Sequence, residues 1–359
     1  MDIGNLPVVK GALNSKIAAS LRLARKKAAG MSKGLVTVFG GSGFIGRYAA
    51  RTLVEKGWRV RVACRRVHAA IDVRLAGPPG WVDIVQANVR DRASIDRALE
   101  GADAAVNLVG ILFERGKQTF EGAQAEGATL VAEAAAAKGI TRFIQVSAIG
   151  ASEGSKSPYS RTKARGEAAV RKAIPTATIL RPSIVFGPED EFFNRFAGLA
   201  RSAPVLPAIG GGKTKFQPVY AGDVARAITA AVDSGAAEGK TFELGGPGVY
   251  TFNALYDIVL KTIDETRFKI PLPFFLARPM GYITGAIWRF VPPFSWGFLG
   301  DPPLTGAQVE MLKDDNVVAG GALTLGDLGV TDLESVEAIV PRYLWRFRTY
   351  GEFHKPREA

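Results

Sequence analysis

Residues 36–46 read VTVFGGSGFIG, a glycine-rich stretch that begins within a run of apolar residues. Gly40, Gly43 and Gly46 form the pattern G-x-x-G-x-x-G between a predicted strand and a predicted helix. Glycines at these positions allow a tight turn, let the backbone approach a pyrophosphate and let the helix pack on the strand, while the helix N-terminus faces the anion. The stretch therefore predicts a dinucleotide-binding turn, and a turn with a purely structural role is the alternative.

Short apolar runs alternate with amphipathic stretches around this turn. The runs are LVTVF (35–39), VRVAC (60–64), VDIVQ (82–86), AAVNLV (104–109), RFIQVS (142–147) and ATILR (177–181). Strands that are apolar on both faces and alternate with helices are typical of a parallel sheet covered by helices on each side. The predicted fold class is α/β, a doubly wound parallel (Rossmann) sheet with a smaller, mostly helical C-terminal lobe.

The pattern changes after Pro182, and this change gives the predicted domain organisation. A loop-rich stretch comes first, TFELGG (241–246) reads as a last strand, and helices separated by Pro and Gly follow. We predict a basic N-terminal extension (1–33), a dinucleotide-binding Rossmann domain (34–185 and 215–245) and a smaller C-terminal lobe (186–214 and 246–359).

Composition excludes several classes of protein. Of the 359 residues, 47% are hydrophobic and 22% charged, as in an ordinary globular protein. A single cysteine, Cys64, excludes an internal disulfide framework, and two histidines without a Cys/His cluster predict no metal site.

The formal net charge of +12 is concentrated at the N-terminus, where residues 1–33 hold seven Lys/Arg and one acid, Asp2. No recognised nucleic-acid motif accompanies this arm, so we predict no nucleic-acid partner and favour an anionic lipid surface or a protein. The arm is basic and acid-poor like an organellar transit peptide. A weakly ordered extension and a docking helix both remain open for it.

The end of the second predicted strand indicates which nucleotide is bound. NAD-preferring sites place an acidic residue there to bind the ribose 2′-hydroxyl. Here that position falls at Cys64, followed by Arg65 and Arg66. Two guanidiniums can pair with a 2′-phosphate in forked geometry, so we predict NADP(H). The alternative is two solvated arginines on a loop.

Tyr159 and Lys163, in YSRTK, are i and i+4 on a predicted helix and hence share one face. An ammonium beside a phenol lowers the phenol's pKa and makes it a usable general acid or base. The pair follows the fifth strand, where a nicotinamide ring laid across the carboxyl edge of the sheet would reach.

GGSGFIG, Tyr159 with Lys163, RPSIVFGP (181–188) and PVYAGDVARAI (218–228) together resemble the extended and atypical short-chain dehydrogenase/reductase superfamily. Within it, VFGGSGFIGR, VRVACRR, NLVGIL, FIQVSAIGAS and RPSIVFGPEDEFFNRFA are similar to the family of Rossmann-type accessory subunits of respiratory complex I, the NADH:ubiquinone oxidoreductase. The resemblance implies that the following residues contact the cofactor: Gly40, Ser42, Gly43, Phe44, Ile45, Gly46, Arg65, Arg66, Asn88, Val89, Leu108, Val109, Gly110, Tyr159, Lys163, Pro182 and Ser183. It places Asn88 and Val89 on the adenine side, Lys163 on the nicotinamide ribose, and Pro182 and Ser183 beside the ring.

One departure from the superfamily pattern concerns catalysis. Active members place a serine just after the fifth strand, and the alignment puts Ala148 there, with Ser147 one residue early. A preorganised donor at such a site is worth about 3 to 4 kcal/mol. We therefore expect a bound nucleotide that is not turned over, with Tyr159 and Lys163 as ribose ligands, although a one-residue shift would return Ser147 to the catalytic position.

Residues 268–303 contain nine of the chain's 33 aromatic residues and one acid, Asp301. If the stretch is helical from Pro279, one stripe holds Met280, Ile283, Ile287 and Phe290, and the opposite face holds Arg278, Tyr282 and Arg289. One interpretation is an aromatic core or a lid. The other, which the resemblance implies, is a surface against a membrane interface or hydrophobic subunits, with Trp288 and Trp296 at headgroup depth.

The resemblance implies an accessory, non-catalytic NADP(H)-binding subunit of complex I with a structural role next to the quinone-reducing region. Its implied partners are other subunits of the complex, including membrane subunits near the quinone site. Its implied location is peripheral on an energy-transducing inner membrane, on the cytoplasmic (bacterial) or matrix (mitochondrial) side. The alternatives are a free NADPH-dependent reductase or epimerase that uses Tyr159 and Lys163, and, by analogy alone, a redox-sensing regulator.

Overall fold

A seven-stranded sheet positions the glycine turn. The computed structural model describes residues 32–290, 305–349 and 351. The strands of the sheet are β1 (Leu35–Phe39), β2 (Arg59–Cys64), β3 (Val82–Gln86), β4 (Ala104–Asn107), β5 (Phe143–Val146), β6 (Thr178–Pro182) and β11 (Thr241–Leu244). Their order is β11-β6-β5-β4-β1-β2-β3, and every neighbouring pair is parallel. The six apolar runs and TFELGG all contribute strands, so the predicted doubly wound sheet is confirmed.

Helices cover both faces of this sheet. The helices of the described residues are α1 (Phe44–Glu55), α2 (Arg92–Ala98), α3 (Glu126–Ala137), α4 (Pro158–Ala173), α5 (Phe192–Ser202), α6 (Ala221–Asp233), α7 (Phe252–Ile263), α8 (Phe274–Phe290), α9 (Gly306–Met311), α10 (Val336–Ile339) and α11 (Pro341–Leu344). Val36 and Val38 of β1 pack in one core with α1 and α6. Phe39 packs in the other core with α2, α3 and α4. Four of the five β1 residues, Val36 to Phe39, are buried and Leu35 is partly buried, as is typical of a strand covered on both faces.

Residues after β6 also build a separate core, outside the two that cover the faces of the large sheet; we call it the second core. Three two-stranded sheets form there, pairing β7 (Val185–Phe186) with β10 (Val219–Tyr220), β9 (Lys215–Phe216) with β12 (Tyr250–Thr251), and β8 (Val205–Ile209) with β13 (Phe268–Leu272). The core itself contains Phe186, Phe193, Tyr256 and Leu344 and is lined by α5, α7, α10 and α11.

The C-terminal segment 314–335 returns to the edge of the large sheet. The Glu243 N–H donates to the Leu323 carbonyl at 2.7 Å, and the Ala319 N–H donates to the Glu243 carboxylate at 2.9 Å. Leu325 and Val330 are buried in the same core as α1 and α6. The segment therefore covers the backbone edge of β11, which would otherwise be open to pairing. The domain boundaries given above remain a prediction.

Two sequence expectations, for the basic extension and for part of the aromatic segment 268–303, concern residues outside the part of the chain that the structure describes. Positions 1–31 of the basic extension lie outside the described residues, as do residues 291–304 with Trp296. The side chains of Trp288, Arg289 and Phe290 are likewise outside the described part. Among the helices that are described, none has the length and apolar character needed to cross a membrane.

Candidate functional site

The glycine turn lies at the carboxyl edge of the sheet between β1 and β4, where the strand order reverses and sheets of this kind bind ligands. Gly40 has φ +78°, a conformation that favours glycine. A Cβ on Gly46 would lie 2.5 Å from both the Gly40 carbonyl oxygen and the Gly41 Cα. Gly43 is the N-cap of α1 and gives no side-chain cap. The amides of the first turn are therefore left for an anion.

The loop after β4 forms the opposite wall of this crevice. A Cβ on Gly40 would lie 3.4 Å from the backbone nitrogen and Cγ2 of Val109. A Cβ on Gly110 would lie 3.1 Å from the Lys163 Nζ. The structure thus brings the turn, the β4 loop and the α4 lysine together, and the predicted contacts at Leu108, Val109 and Gly110 adjoin both the turn and Lys163.

The sequence predicts the adenosine end of the crevice at the residues after β2 and β3, and the structure places the ends of these two strands side by side. The Ala87 N–H donates to the Cys64 carbonyl at 2.9 Å, which holds the loop after β3 next to the loop after β2. Arg65 and Arg66 are both exposed there. Although Arg65 as a whole is exposed, partial burial of its guanidinium lowers the pKa of this group, and the positive charges of Arg66 and Arg90 lower it further. Several cations therefore share this end of the crevice.

Asn88 and Val89 also lie at the adenosine end. The Asn88 Oδ1 accepts a hydrogen bond from the Arg90 N–H at 3.1 Å, which fixes the turn after β3. Val89 packs on Gly127 of α3, where a Cβ would lie 2.9 Å from its Cγ2. Sequence reasoning missed Arg90, and the signal that could have found it is the basic run N-V-R-D-R directly after the third strand.

Tyr159 and Lys163 lie on the same face of α4 and are both buried. The Lys163 Nζ donates to the Val146 carbonyl at 3.3 Å and lies 6.0 Å from the centre of the Tyr159 ring. Burial raises the pKa of Tyr159 to about 12. Burial lowers the pKa of Lys163 to about 8, although the charge of Glu167 opposes the shift. Burial is the one cause of the Tyr159 shift, and the charge of Lys163 does not lower the pKa of the phenol in this arrangement.

The residues after β5 bear on the missing serine. Ser147 is buried, and its Oγ has no hydrogen-bond partner among the described residues. Ala148 is partly exposed. The Ser147 hydroxyl is thus enclosed, whereas Ala148, at the aligned catalytic position, has accessible surface. The absence of catalysis that Ala148 implies at this position remains a prediction.

Pro182 and Ser183, expected beside the nicotinamide ring, lie at the end of β6. The Pro182 carbonyl accepts from the Ile149 N–H at 3.0 Å. The Ser183 hydroxyl forms hydrogen bonds of 2.6 Å to the Asn316 Oδ1 and 3.0 Å to the Asn316 carbonyl. Ser183 therefore ties the crevice to the C-terminal segment, a contact that sequence reasoning missed because 133 residues separate the two.

An aromatic chain leads from the glycine turn into the second core. A Cβ on Gly187 would lie 3.1 Å from the Phe44 ring, so glycine at this position lets the loop after β7 meet α1. Edge-to-face contacts join Phe44 to Tyr48 (5.8 Å between centroids) and Tyr48 to Tyr220 (5.9 Å). Tyr220 contacts Phe186 at 5.8 Å. Direct aromatic packing therefore connects the turn to the second core.

A second feature of the fold is an apolar surface on β13 and α8. We use this term for the exposed side chains of Phe268, Phe275, Met280, Ile283 and Ile287. Met280, Ile283 and Ile287 are 54%, 60% and 53% exposed, which excludes the core interpretation for these residues. The stretch from Pro279 is helical, as the sequence interpretation assumed, and the helix begins earlier, at Phe274. Ala277 in this earlier part is buried against Val309. On the opposite face, the Arg278 Nε lies 2.9 Å from the Glu310 carboxylate.

The fold and the glycine turn define a nucleotide-binding protein of the doubly wound class. The family model described as "NAD dependent epimerase/dehydratase family" matches residues 36–245, which extend from β1 through β11. The chain belongs to this family, and the superfamily resemblance is confirmed.

The relatives narrow this class. A protein of Arabidopsis thaliana, "NADH dehydrogenase (ubiquinone) 1 alpha subcomplex subunit 9, mitochondrial", is 40% identical over 315 residues, which are 85% of this chain and 77% of the relative. At this identity and coverage the chain belongs to the family of alpha subcomplex subunit 9 proteins.

Other comparisons point to related folds and activities. The "Ceramide reductase" of Caulobacter vibrioides is 37% identical over 184 residues, or 50% of this chain and 55% of that protein. The solved structure of the NADPH-dependent quinone oxidoreductase QOR2 of Escherichia coli, complexed with NADPH, matches with a TM-score of 0.67 and 18% identity. It covers 86% of this chain and 99% of that chain, a likeness that shows the fold alone.

Proposed function

We propose that this chain is a non-catalytic NADP(H)-binding accessory subunit of respiratory complex I with a structural role next to the quinone-reducing region. The observation that carries the proposal is the glycine turn at the carboxyl edge of the sheet, together with Ala148 at the position where active members of the superfamily place a serine. The name of the Arabidopsis relative supports assembly with the other subunits of complex I.

Each part of the crevice offers groups that suit one part of a dinucleotide. The turn at Gly40, Gly43 and Gly46 would hold the pyrophosphate, because a Cβ at Gly46 would fill the space that the turn needs. Lys163 would hold the nicotinamide ribose, and Arg65 with Arg66 would hold a 2′-phosphate. The 2′-phosphate contact favours NADP(H) over NAD(H).

The same crevice is poorly equipped for proton transfer. NADPH, when bound, would supply a hydride to an acceptor, and a general acid works best with a pKa near the operating pH. Tyr159 lies far from that range, and the Ser147 hydroxyl is enclosed. Without a donor at Ala148, about 3 to 4 kcal/mol of transition-state stabilisation is missing.

A nucleotide that is held but not consumed stabilises the folded chain. Binding to the folded state alone contributes about 4 kcal/mol at a thousandfold excess over Kd. The aromatic chain through Phe44, Tyr48 and Tyr220 would pass this rigidity to the second core. The C-terminal lobe would then brace its neighbours in the assembly.

The apolar surface supports a peripheral position on the membrane. Exposed apolar side chains on one helix and an adjoining strand mark a contact with a membrane interface or with hydrophobic subunits. We propose that it faces the membrane subunits near the quinone site, on the cytoplasmic (bacterial) or matrix (mitochondrial) side of the inner membrane.

Purification from native membranes tests this assignment. An affinity-tagged chain should be recovered with the subunits of complex I, and parallel extractions of that assembly, in acid for NADP⁺ and in alkali for NADPH, should together release about one nucleotide per tagged chain. Recovery as a free homodimer without other complex I subunits would refute it.

The second candidate is a free NADPH-dependent reductase or epimerase, with Tyr159 as proton donor and Lys163 as the group that tunes its pKa. The ceramide reductase relative and the shared face of the two residues favour it. Steady NADPH oxidation by the isolated chain with a carbonyl substrate, abolished by Tyr159→Phe, would establish this function instead.

A further inference from the structure

The loop after β4 crosses the carboxyl edge of the sheet to the far side of the crevice. Arg115 and Gln118 form an isolated antiparallel bridge in this loop, and we call residues 115–118 the hairpin. In the sheet, β4 and β3 are separated by β1 and β2. At about 4.8 Å per strand, the hairpin reaches across roughly 14 Å of sheet edge to contact the residues after β3. The adenosine end of the crevice lies beneath that span.

Two arginines from different strands meet the hairpin at consecutive residues. The Arg90 Nη1 donates to the Lys117 carbonyl at 2.5 Å. With the Gln118 amide turned so that its oxygen faces Arg65, the orientation that the surrounding donors favour, this oxygen accepts from both terminal nitrogens of Arg65, one of them at 3.0 Å. The stem of Arg90 lies along Gly122, where a Cβ would be 3.6 Å from its Cδ. The two guanidiniums therefore converge on one corner of the hairpin.

Their electrostatic environment is unusual for a protein surface. The two charged groups that lower the pKa of Arg65, after burial, are both arginines, Arg66 and Arg90. The donors held by Gln118 and Lys117 are bound to neutral oxygens, which do not compensate the positive charge. Clustered guanidiniums of this kind are suited to a dianion, because each can donate two N–H groups to phosphate oxygens.

We propose that Arg90 is a ligand of the 2′-phosphate of NADP(H), facing Arg65 across the adenosine end of the crevice. The inference rests on the proposed NADP(H) function and deepens it by assigning nucleotide selectivity to a residue after β3. Arg65 alone would occupy one side of the phosphate, and Arg90 supplies the second side beneath the hairpin.

The experiment compares NADPH and NADH affinities of the full-length purified chain with those of Arg90→Gln, by titration calorimetry. A charge-assisted hydrogen bond contributes enough that its loss should weaken NADPH binding roughly 10- to 100-fold. NADH affinity should stay within about twofold of the wild type, because NADH lacks the phosphate. Arg97→Gln on α2, which is exposed and removes the same charge, should leave both affinities unchanged.

The comparison separates three failures. Equal weakening of both nucleotides by Arg90→Gln would show that Arg90 only holds the hairpin, and would overturn the inference. If Arg90→Gln binds NADPH as tightly as the wild type does, the inference is also overturned. The proposed function would then still be supported, because the wild-type chain binds NADPH. A wild-type chain that binds neither nucleotide would remove the proposed function and the inference together.

Discussion

Gly46→Ala is the perturbation that the structure constrains most tightly. The added methyl would lie 2.5 Å from the Gly40 carbonyl oxygen, 2.5 Å from the Gly41 Cα and 2.7 Å from the Gly41 carbonyl carbon. Unstrained carbon contacts require about 3.5 to 4.0 Å, so the turn would have to move by roughly 1 Å. All three neighbours are backbone atoms and cannot swing aside as a flexible side chain would. Overpacking of this kind costs about 1–3 kcal/mol.

We expect two measurable consequences of this substitution. The midpoint of thermal unfolding should fall by about 1–4 °C, since an unfolding entropy of about 2.1 cal/mol/K per residue makes 1 kcal/mol correspond to roughly 1.3 °C in a chain of 359 residues. NADPH affinity, measured by titration calorimetry, should fall at least tenfold, because each lost charge-assisted hydrogen bond contributes about 1.5–3 kcal/mol.

Gly285→Ala on α8 is the matched control. Its methyl would meet nothing closer than the Thr305 Cβ at 3.9 Å. Alanine is about 1 kcal/mol better than glycine in a helix interior, so stability should be unchanged or higher and NADPH affinity unchanged. Wild-type NADPH affinity in Gly46→Ala would refute the assignment of this turn as the pyrophosphate site.

Three further predictions concern charge and exposure. Burial lowers the pKa of Lys163 to about 8, from 10.5 in the unfolded chain, so the folded chain loses this proton at lower pH than the unfolded chain does. The free energy of unfolding should therefore increase by about 3 kcal/mol between pH 8 and 10.5. The unfolding free energy of the wild type minus that of Lys163→Met, from urea titrations, should therefore increase with pH, and a flat difference would contradict the burial of the ammonium. Glu167 accepts two hydrogen bonds from Arg181, at 2.9 and 2.6 Å. Glu167→Gln should therefore lower the free energy of unfolding in urea by about 1–3 kcal/mol, whereas Arg92→Gln, in an exposed ion pair, should lower it by about 0.5 kcal/mol or less. Equal losses would contradict this prediction. Ile283→Glu should reduce the fraction of the chain that is recovered with native membranes while its thermal stability stays unchanged. Ile71→Glu, at a similarly exposed position, should not reduce that fraction. Equal recovery of the two variants would argue against the apolar surface as a docking face.

Local features of the sheet could be predicted from sequence because they depend on local patterns. Apolar residues on both faces of a run such as 35–39 indicate a buried parallel strand, and the run forms β1. The spacing of Tyr159 and Lys163 places them on one helix face, as observed. The turn at Gly40 and Gly46 follows from a glycine pattern whose steric reason is visible in the structure.

Contacts between distant segments could not be predicted in the same way. The bond from Ser183 to Asn316 and the meeting of Arg65 with Gln118 depend on how loops cross the sheet edge, and no local pattern encodes that. The sequence interpretation covered α8 only from Pro279, because proline is common at helix starts, whereas the helix begins at Phe274 and its earlier part buries Ala277 against the distant Val309.

The central claim is that the chain holds a phosphorylated nucleotide without consuming it. The most direct measurement is NADPH absorbance at 340 nm, with the purified chain alone and a panel of ketones, aldehydes and short-chain quinones, after calorimetry has shown that NADPH binds. The account predicts tight binding with no oxidation above the rate in buffer. Multiple turnovers at ordinary enzymatic rates, abolished by Tyr159→Phe, would contradict it.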